Sequence, residues 1–225
     1  MGKTDLHLFN KEMIIPGNGT RWKQVFLNKR LLFEFLLSFF IQIIALLVLA
    51  DFLKFIEQRE GAVLNDPVLS LFSPLDLTWI IFGVIYGCLV LALISFTKSP
   101  VTLTFAFQAY SILIFIRAAA MYAAPFNPPS GMIPLQDPFV EFFGTDMLLT
   151  KDLFFSGHTA LLFLFFLIEK SKLLKFIFII SAVTTGICLL LQHVHYTLDV
   201  ISAPFFSYTV FRLVLKAKQI FPGKL

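Results

Sequence analysis

The chain has 225 residues, 58% of them hydrophobic, with 29 phenylalanines, a formal net charge of +4 and a mean hydropathy of +0.85. Soluble globular domains are only about half apolar, so the composition excludes one and predicts an all-α, polytopic membrane protein. A pI near 9.1 would suit nucleic-acid binding in a soluble protein, but here the basic residues flank apolar runs and read as topology signals, so no nucleic-acid partner is expected.

Residues 1–30 lack the continuous apolar stretch and small-residue cleavage site of a signal peptide. MGKTDL also lacks the Ser or Thr at position six of a myristoylation signal, so a retained tail without a lipid anchor is expected. About 20 apolar residues cross a hydrocarbon layer of roughly 30 Å. Six such runs can be placed, at about 31–50, 77–96, 101–123, 153–168, 173–194 and 198–215. The expected organisation is a tail over 1–30, a six-helix transmembrane catalytic domain over 31–216 and a second tail over 217–225.

Within the first run, Glu34 reads as an interfacial or interhelical residue. Trp79, Tyr122 and Pro125 mark span edges as interface anchors or helix stops. Cys88 and Cys188 fall inside spans and read as small buried residues rather than a disulfide.

With six spans both termini share one face. That face takes Lys3, Lys11, Arg21, Lys23, Lys29, Arg30, Lys98, Lys170, Lys172, Lys175, Arg212, Lys216, Lys218 and Lys224 of the 18 Lys and Arg; the other keeps Lys54, Arg59 and Lys151. The positive-inside rule makes both termini cytoplasmic, which leaves the NGT sequon at 18–20 unused. The outer loops are acidic, with Asp51, Glu57, Glu60, Asp66, Asp76, Asp137, Glu141, Asp146 and Asp152.

Polar residues inside spans are expensive and usually face the bundle interior or a wet cavity. Arg117 lies near the outer end of the third span. His158, in DLFFSGHTALLF, sits roughly 18 Å from the inner boundary at Lys170 at 1.5 Å per residue. Ser156 can cap a helix there, Gly157 lets another group approach closely, and the free N–H groups suit an anion. At the turn into the sixth span, QHVHYTLDVISAP puts His195 and Asp199 at i and i+4, on one face if the helix already runs there. Asp199 is about 26 Å from Lys216 by the same count, so Arg117, His158, His195 and Asp199 all fall in the outer half.

Two histidines, a carboxylate and an arginine form a set for phosphoryl transfer that calls for no metal or other cofactor. Asp199 would fix the tautomer of His195 and sharpen the other ring nitrogen as a nucleophile. His158 would protonate a leaving oxygen and later accept a proton from an incoming hydroxyl. Arg117 and the helix N-terminus would hold the negative oxygens. His193 and His195 also form an H-x-H pair of the kind that binds metals, but only Asp199 and the distant His158 are there to complete a shell.

LFFSGHT followed by HVHYTLDV resembles the third and fourth signature motifs of the sphingomyelin synthases, a branch of the phosphatidic acid phosphatase superfamily. RAAAMYAAPFNPP at 117–129 and SPLDLTW at 73–79 resemble that branch's Arg-led and Pro/Asp-containing motifs. The resemblance implies a phosphatidic acid phosphatase-like helical core. It also implies a transferase that moves a phospho-head group, of phosphocholine or phosphoethanolamine type, from a glycerophospholipid to a lipid alcohol such as ceramide. His195, Asp199 and His158 would be catalytic, with a phosphohistidine intermediate at one outward-facing site. Arg117, Asp152, Ser156, Gly157 and Tyr196 would bind substrate. The partners are then a phospholipid donor, ceramide or diacylglycerol as acceptor, and the membrane; a homo-oligomer is compatible with the chain.

The sequence departs from the branch pattern at Thr150 and Lys151, where Cys-Gly is usual, at Val194, where an acidic residue is usual, and after the Arg motif, where Ala replaces Thr. Two other readings stand beside the transferase. A lipid phosphatase or phospholipase C-type hydrolase would use the same His-His-Asp site with water as acceptor, although the phosphatases' basic first motif and the Arg before the second His are absent. A non-enzymatic scramblase would keep the fold alone. On the predicted topology, a tag on either terminus is protected in intact cells or spheroplasts; surface labelling of either tag contradicts it.

Overall fold

The computed structural model describes residues 15, 20–136 and 149–220. The expected outer-loop acids Asp137, Glu141 and Asp146, and the tail residues Lys3, Lys11 and Lys224, lie outside the described residues. Among the described residues seven α-helices run in chain order: α1 (Trp22–Leu27), α2 (Lys29–Glu57), α3 (Thr78–Phe96), α4 (Pro100–Ala123), α5 (Gly157–Ile168), α6 (Lys172–Leu191) and α7 (Thr197–Ile220). The described residues hold no strand, only an isolated parallel bridge between Ala62 and Phe126. The protein is all-α.

Five of these helices, α2, α3, α4, α6 and α7, are long and apolar enough to cross a membrane. The fourth expected span is different. Helix α5 starts at Gly157 and has 12 residues, about 18 Å at 1.5 Å per residue, so four residues expected to be helical, Leu153 to Ser156, instead approach it as non-helical chain. Ser156 is the reason. It takes an extended conformation at φ −63° and ψ 112°, and its side chain accepts the Thr159 N–H, which sets the helix start one residue later. Similar local signals start two other helices: Asn28 accepts the Arg30 and Leu31 N–H groups before α2, and Ser99 accepts the Thr102 N–H before α4, with Pro100 following it. Proline is favoured there because its missing N–H belongs to a position with no helical partner.

The short helix α5 lies at the centre, packed against α6 and α7 and touching α3 and α4. Thr159, Ala160, Leu162, Leu164, Phe165, Leu167 and Ile168 are all buried. Phe165 meets Phe178 of α6 with ring centroids 5.6 Å apart, and Phe155, just before α5, stacks on Phe206 of α7 at 4.4 Å. Ser207 of α7 donates to the Ala160 carbonyl at 2.7 Å. Cys88 and Cys188 are free and buried.

Helix α2 is the least embedded of the five long helices and leans chiefly on α4. A polar seam joins them. Gln108 donates to Glu34 Oε1 and to Ser38 Oγ, each at 3.0 Å, and Ser111 donates to Gln42 Oε1 at 3.0 Å. Lys218 of α7 reaches Glu34 at 2.5 Å. Glu34 is thus interhelical, one of the two roles its sequence position suggested. Where apolar side chains meet lipid as readily as each other, such bonds between helices provide the adhesion.

At the opposite end of the bundle the loops are stitched into one platform. Gln192, fully buried, donates to Thr78 Oγ1 at 2.9 Å and to the Ile133 carbonyl at 3.3 Å, and accepts the Leu77 N–H at 3.0 Å. The Ala62 N–H donates to the Pro125 carbonyl at 3.0 Å, and the Asn127 N–H to the Ala62 carbonyl at 2.9 Å. A Cβ on Gly61 would lie 2.5 Å from the Phe126 carbonyl carbon, so only glycine permits this backbone approach.

Candidate active site

Three elements supply the site: the last turns of α4, the segment from Thr150 into α5, and the turn from α6 into α7. One backbone bond joins the last two. The Ser156 N–H donates to the Asp199 carbonyl at 3.0 Å, so the start of α5 is attached to the first turn of α7.

His195 stands just outside α7, because the helix begins at Thr197. Its pairing with Asp199 therefore spans a turn entering the helix rather than a helical face. The pair is still made, with His195 Nδ1 3.2 Å from Asp199 Oδ2 and both residues buried. The carboxylate can only accept, so Nδ1 carries the proton and Nε2 keeps its lone pair. The same Oδ2 accepts the Tyr196 N–H at 3.2 Å. Asp199 Oδ1 has no hydrogen-bond partner among the described residues. A buried carboxylate oxygen left so is costly.

Arg117 comes from α4 and is 5% exposed. Its guanidinium donates to the Phe155 carbonyl, to the Asp152 carbonyl at 3.2 Å and to Asp152 Oδ1 at 2.5 Å. Its Cζ also lies 5.5 Å from the Phe155 ring centroid. Gly157 is the surface it rests on: a Cβ there would lie 2.7 Å from one guanidinium nitrogen and 2.8 Å from Cζ. Burial alone would raise the Asp152 pKa, but the Arg117 charge and hydrogen bond outweigh it, with smaller help from His195 and His158, and hold it below its ordinary value. A carboxylate depressed in the folded state adds stability above its unfolded pKa near 3.8 and loses it as the pH falls through the folded value.

His158, in the first turn of α5, lies edge-on to Phe82 of α3, with centroids 6.2 Å apart and planes at 86°. With Arg117, Asp152, Tyr110, Phe155 and Gly157 it lines a cavity of about 140 Å³, whose remaining walls are Leu49, Leu113, Ile114 and Leu161. His195 does not line this cavity. Tyr196, read from the motif as a substrate contact, is 1% exposed; its hydroxyl donates to the Asn127 carbonyl at 2.9 Å and accepts the Leu64 N–H at 3.2 Å. His193 has φ +57° and its Nδ1 lies 3.1 Å from the Ser130 carbonyl.

Sequence reasoning missed two residues that hold the site's loops. Glu57, at the end of α2, accepts the Thr150 and Lys151 N–H groups at 2.9 and 3.0 Å and also the Thr150 hydroxyl. Asp66 reaches the first residue of α7. Both act across long separations between loops, where no periodic pattern announces a partner. Phe154 is a third unforeseen feature, held at φ +112°. A non-glycine residue there is strained, and such strain gathers around functional sites.

Helices, apolar spans and this cluster together define a polytopic all-α protein with a histidine–carboxylate site at one end of its bundle. Residues 151–217 match the family described as PAP2 superfamily C-terminal. That stretch runs from the residue before Asp152 almost to the end of α7, and the match supports the phosphatidic acid phosphatase superfamily, a group of membrane phosphatases and phosphotransferases. It does not single out a branch. A comparison with curated proteins gives no match.

Because Gly157 meets the guanidinium face, Gly157→Ala displaces Arg117 and lowers turnover by about tenfold or more, since small misplacements in a site carry costs of this order. Steady-state kinetics of the purified variant checks this; wild-type turnover would contradict it.

Proposed function

We propose that the protein is an integral membrane lipid phosphotransferase that carries a phospho-head group from a glycerophospholipid to a lipid alcohol, of ceramide or diacylglycerol type. The observation that carries the reading is the buried His195–Asp199 pair, fixed to the SGH turn by the Ser156 N–H bond to the Asp199 carbonyl. The match of the same region to the PAP2 superfamily supports it.

In the first half-reaction His195 Nε2 attacks phosphorus. An N–P bond forms, the P–O bond to the glycerolipid breaks, and His158 delivers a proton to the departing oxygen, releasing diacylglycerol. In the second, the acceptor hydroxyl gives its proton to His158 as its oxygen attacks phosphorus, and the N–P bond breaks to restore His195. Asp199 keeps the Nδ1 proton throughout and balances the charge on the ring. Arg117 and the N–H groups opening α5 offset the phosphoryl charge, with Arg117 exchanging its bond to Asp152 for a phosphoryl oxygen.

The lining of the cavity is compatible with a lipid acceptor. Leu49, Leu113, Ile114 and Leu161 wall it, while His158, Arg117 and Asp152 form its polar side. At about 140 Å³ it has room for the reacting end of a lipid alcohol and not for the whole molecule. The site belongs to the catalytic domain proposed over residues 31–216 and faces the outer leaflet on the proposed topology; Tyr196 serves it by fixing the turn that carries His195.

The test is an assay with fluorescent ceramide or diacylglycerol and a panel of phospholipid donors in liposomes, run on wild type and His195→Ala. Wild type is expected to yield a new labelled phospholipid, and His195→Ala to lose it by about a thousandfold or more, the scale on which nucleophile deletions fall. Head-group loss from the donor that depends on His195 but gives no labelled product would make the protein a hydrolase and overturn the acceptor assignment.

A further inference from the structure

His195 lies outside the hydrogen-bonded part of α7, so regular helix geometry does not fix its backbone. Something else must aim Nε2. Asp199 supplies one restraint from within the helix, accepting the His195 Nδ1–H and the Tyr196 N–H, both at 3.2 Å.

A second carboxylate meets the same turn from the loop between α2 and α3. Asp66 Oδ2 accepts the Thr197 N–H at 2.6 Å, and Asp66 Oδ1 accepts the Thr197 hydroxyl at 3.1 Å. Oδ1 also takes the N–H groups of Val68 and Leu69, at 3.0 and 3.4 Å, which fixes the carboxylate on its own loop. Thr197 is the first residue of α7, where N–H groups lack helical partners and the helix dipole favours a negative charge. Residues 195 to 197 are therefore gripped from both sides.

The loop carrying Asp66 is itself braced. Its Ala62 pairs with Pro125 and Asn127 through backbone bonds, and Asn127 Nδ2 donates to the Gly61 carbonyl at 2.7 Å. Its Leu64 N–H donates to the Tyr196 hydroxyl at 3.2 Å, a second link to the same turn. A carboxylate on so rigid a support restrains a direction as well as capping a helix.

We infer that Asp66 is a positioning residue for the reaction: through Thr197 it sets the orientation of the turn from which His195 presents Nε2 to phosphorus. This rests on the proposed role of His195. A helix cap alone would reach reactivity only through the fraction of folded protein. A positioning contact acts on the folded enzyme, lowering kcat while substrate affinity stays, because a small misplacement of a nucleophile costs rate out of proportion to its size.

The experiment uses the full chain in detergent, with head-group-labelled phosphatidylcholine and phosphatidylethanolamine as donors. It compares wild type, Asp66→Ala, Thr197→Val, Thr197→Ser and His195→Ala, each assayed well below its own unfolding midpoint. Asp66→Ala and Thr197→Val are expected to lose about tenfold to a hundredfold in kcat with KM within about twofold. Thr197→Ser, which keeps the hydroxyl, is expected to recover most of the rate. If Asp66→Ala does not fold, the two Thr197 variants decide the matter. Wild-type kcat in the valine variant, or an equal loss in serine and valine, overturns the inference while His195→Ala remains inactive. Full activity in His195→Ala is a different result and overturns the reading of the site itself.

Discussion

One backbone hydrogen bond, from the Ser156 N–H to the Asp199 carbonyl at 3.0 Å, holds two helix starts together, and the rest of the site depends on it. It brings the N-terminus of α5, with Ser156, Gly157 and His158, to the first turn of α7, with Asp199 and the adjoining His195. Helix N-termini present unpaired N–H groups and a positive dipole end. Two of them meeting at one end of the bundle create a place where negative charge is welcome, beside a histidine whose tautomer a carboxylate has already set.

The approach to α5 requires a second device. Residues 149–156 are not helical, and non-helical backbone near membrane depth is tolerated only where protein satisfies its polar groups. Two side chains and one carbonyl do so. Arg117 takes the Phe155 and Asp152 carbonyls, Glu57 takes the Thr150 and Lys151 N–H groups, and the Asp199 carbonyl takes the Ser156 N–H. Arg117 is thus a structural fastening of the site as well as the proposed phosphoryl ligand. Its two bonds to Asp152 and its contact with Gly157 place a cation beside the cavity before any anion arrives.

Much of this was legible in the sequence, for a physical reason. Apolar run length exposes the spans, and α3 and α4 follow their expected limits closely because a cap or an anchor marks each end. Hydropathy hid the short reach of α5, since LFF before Ser156 is as apolar as the helix after it; the Ser156 cap, which the sequence did offer, decides the boundary. The His195–Asp199 pairing could be read from a spacing of four, although the helix starts two residues after the histidine. Contacts between loops were hidden. Asp66 finds Thr197 at a separation of 131 residues, and Tyr196, which sits inside the motif, turns its hydroxyl toward Asn127. A motif names residue types, while packing decides which way each one faces.

In the proposed reaction phosphorus is passed through a covalent bond to His195. The most direct measurement is to incubate wild type, His158→Ala and His195→Ala with a phospholipid donor radiolabelled at phosphorus, quench in alkali and count label retained on the protein. Phosphohistidine survives alkali and is lost in acid. Acid-labile label is expected on wild type and none on His195→Ala. Label of equal amount on His195→Ala would contradict it.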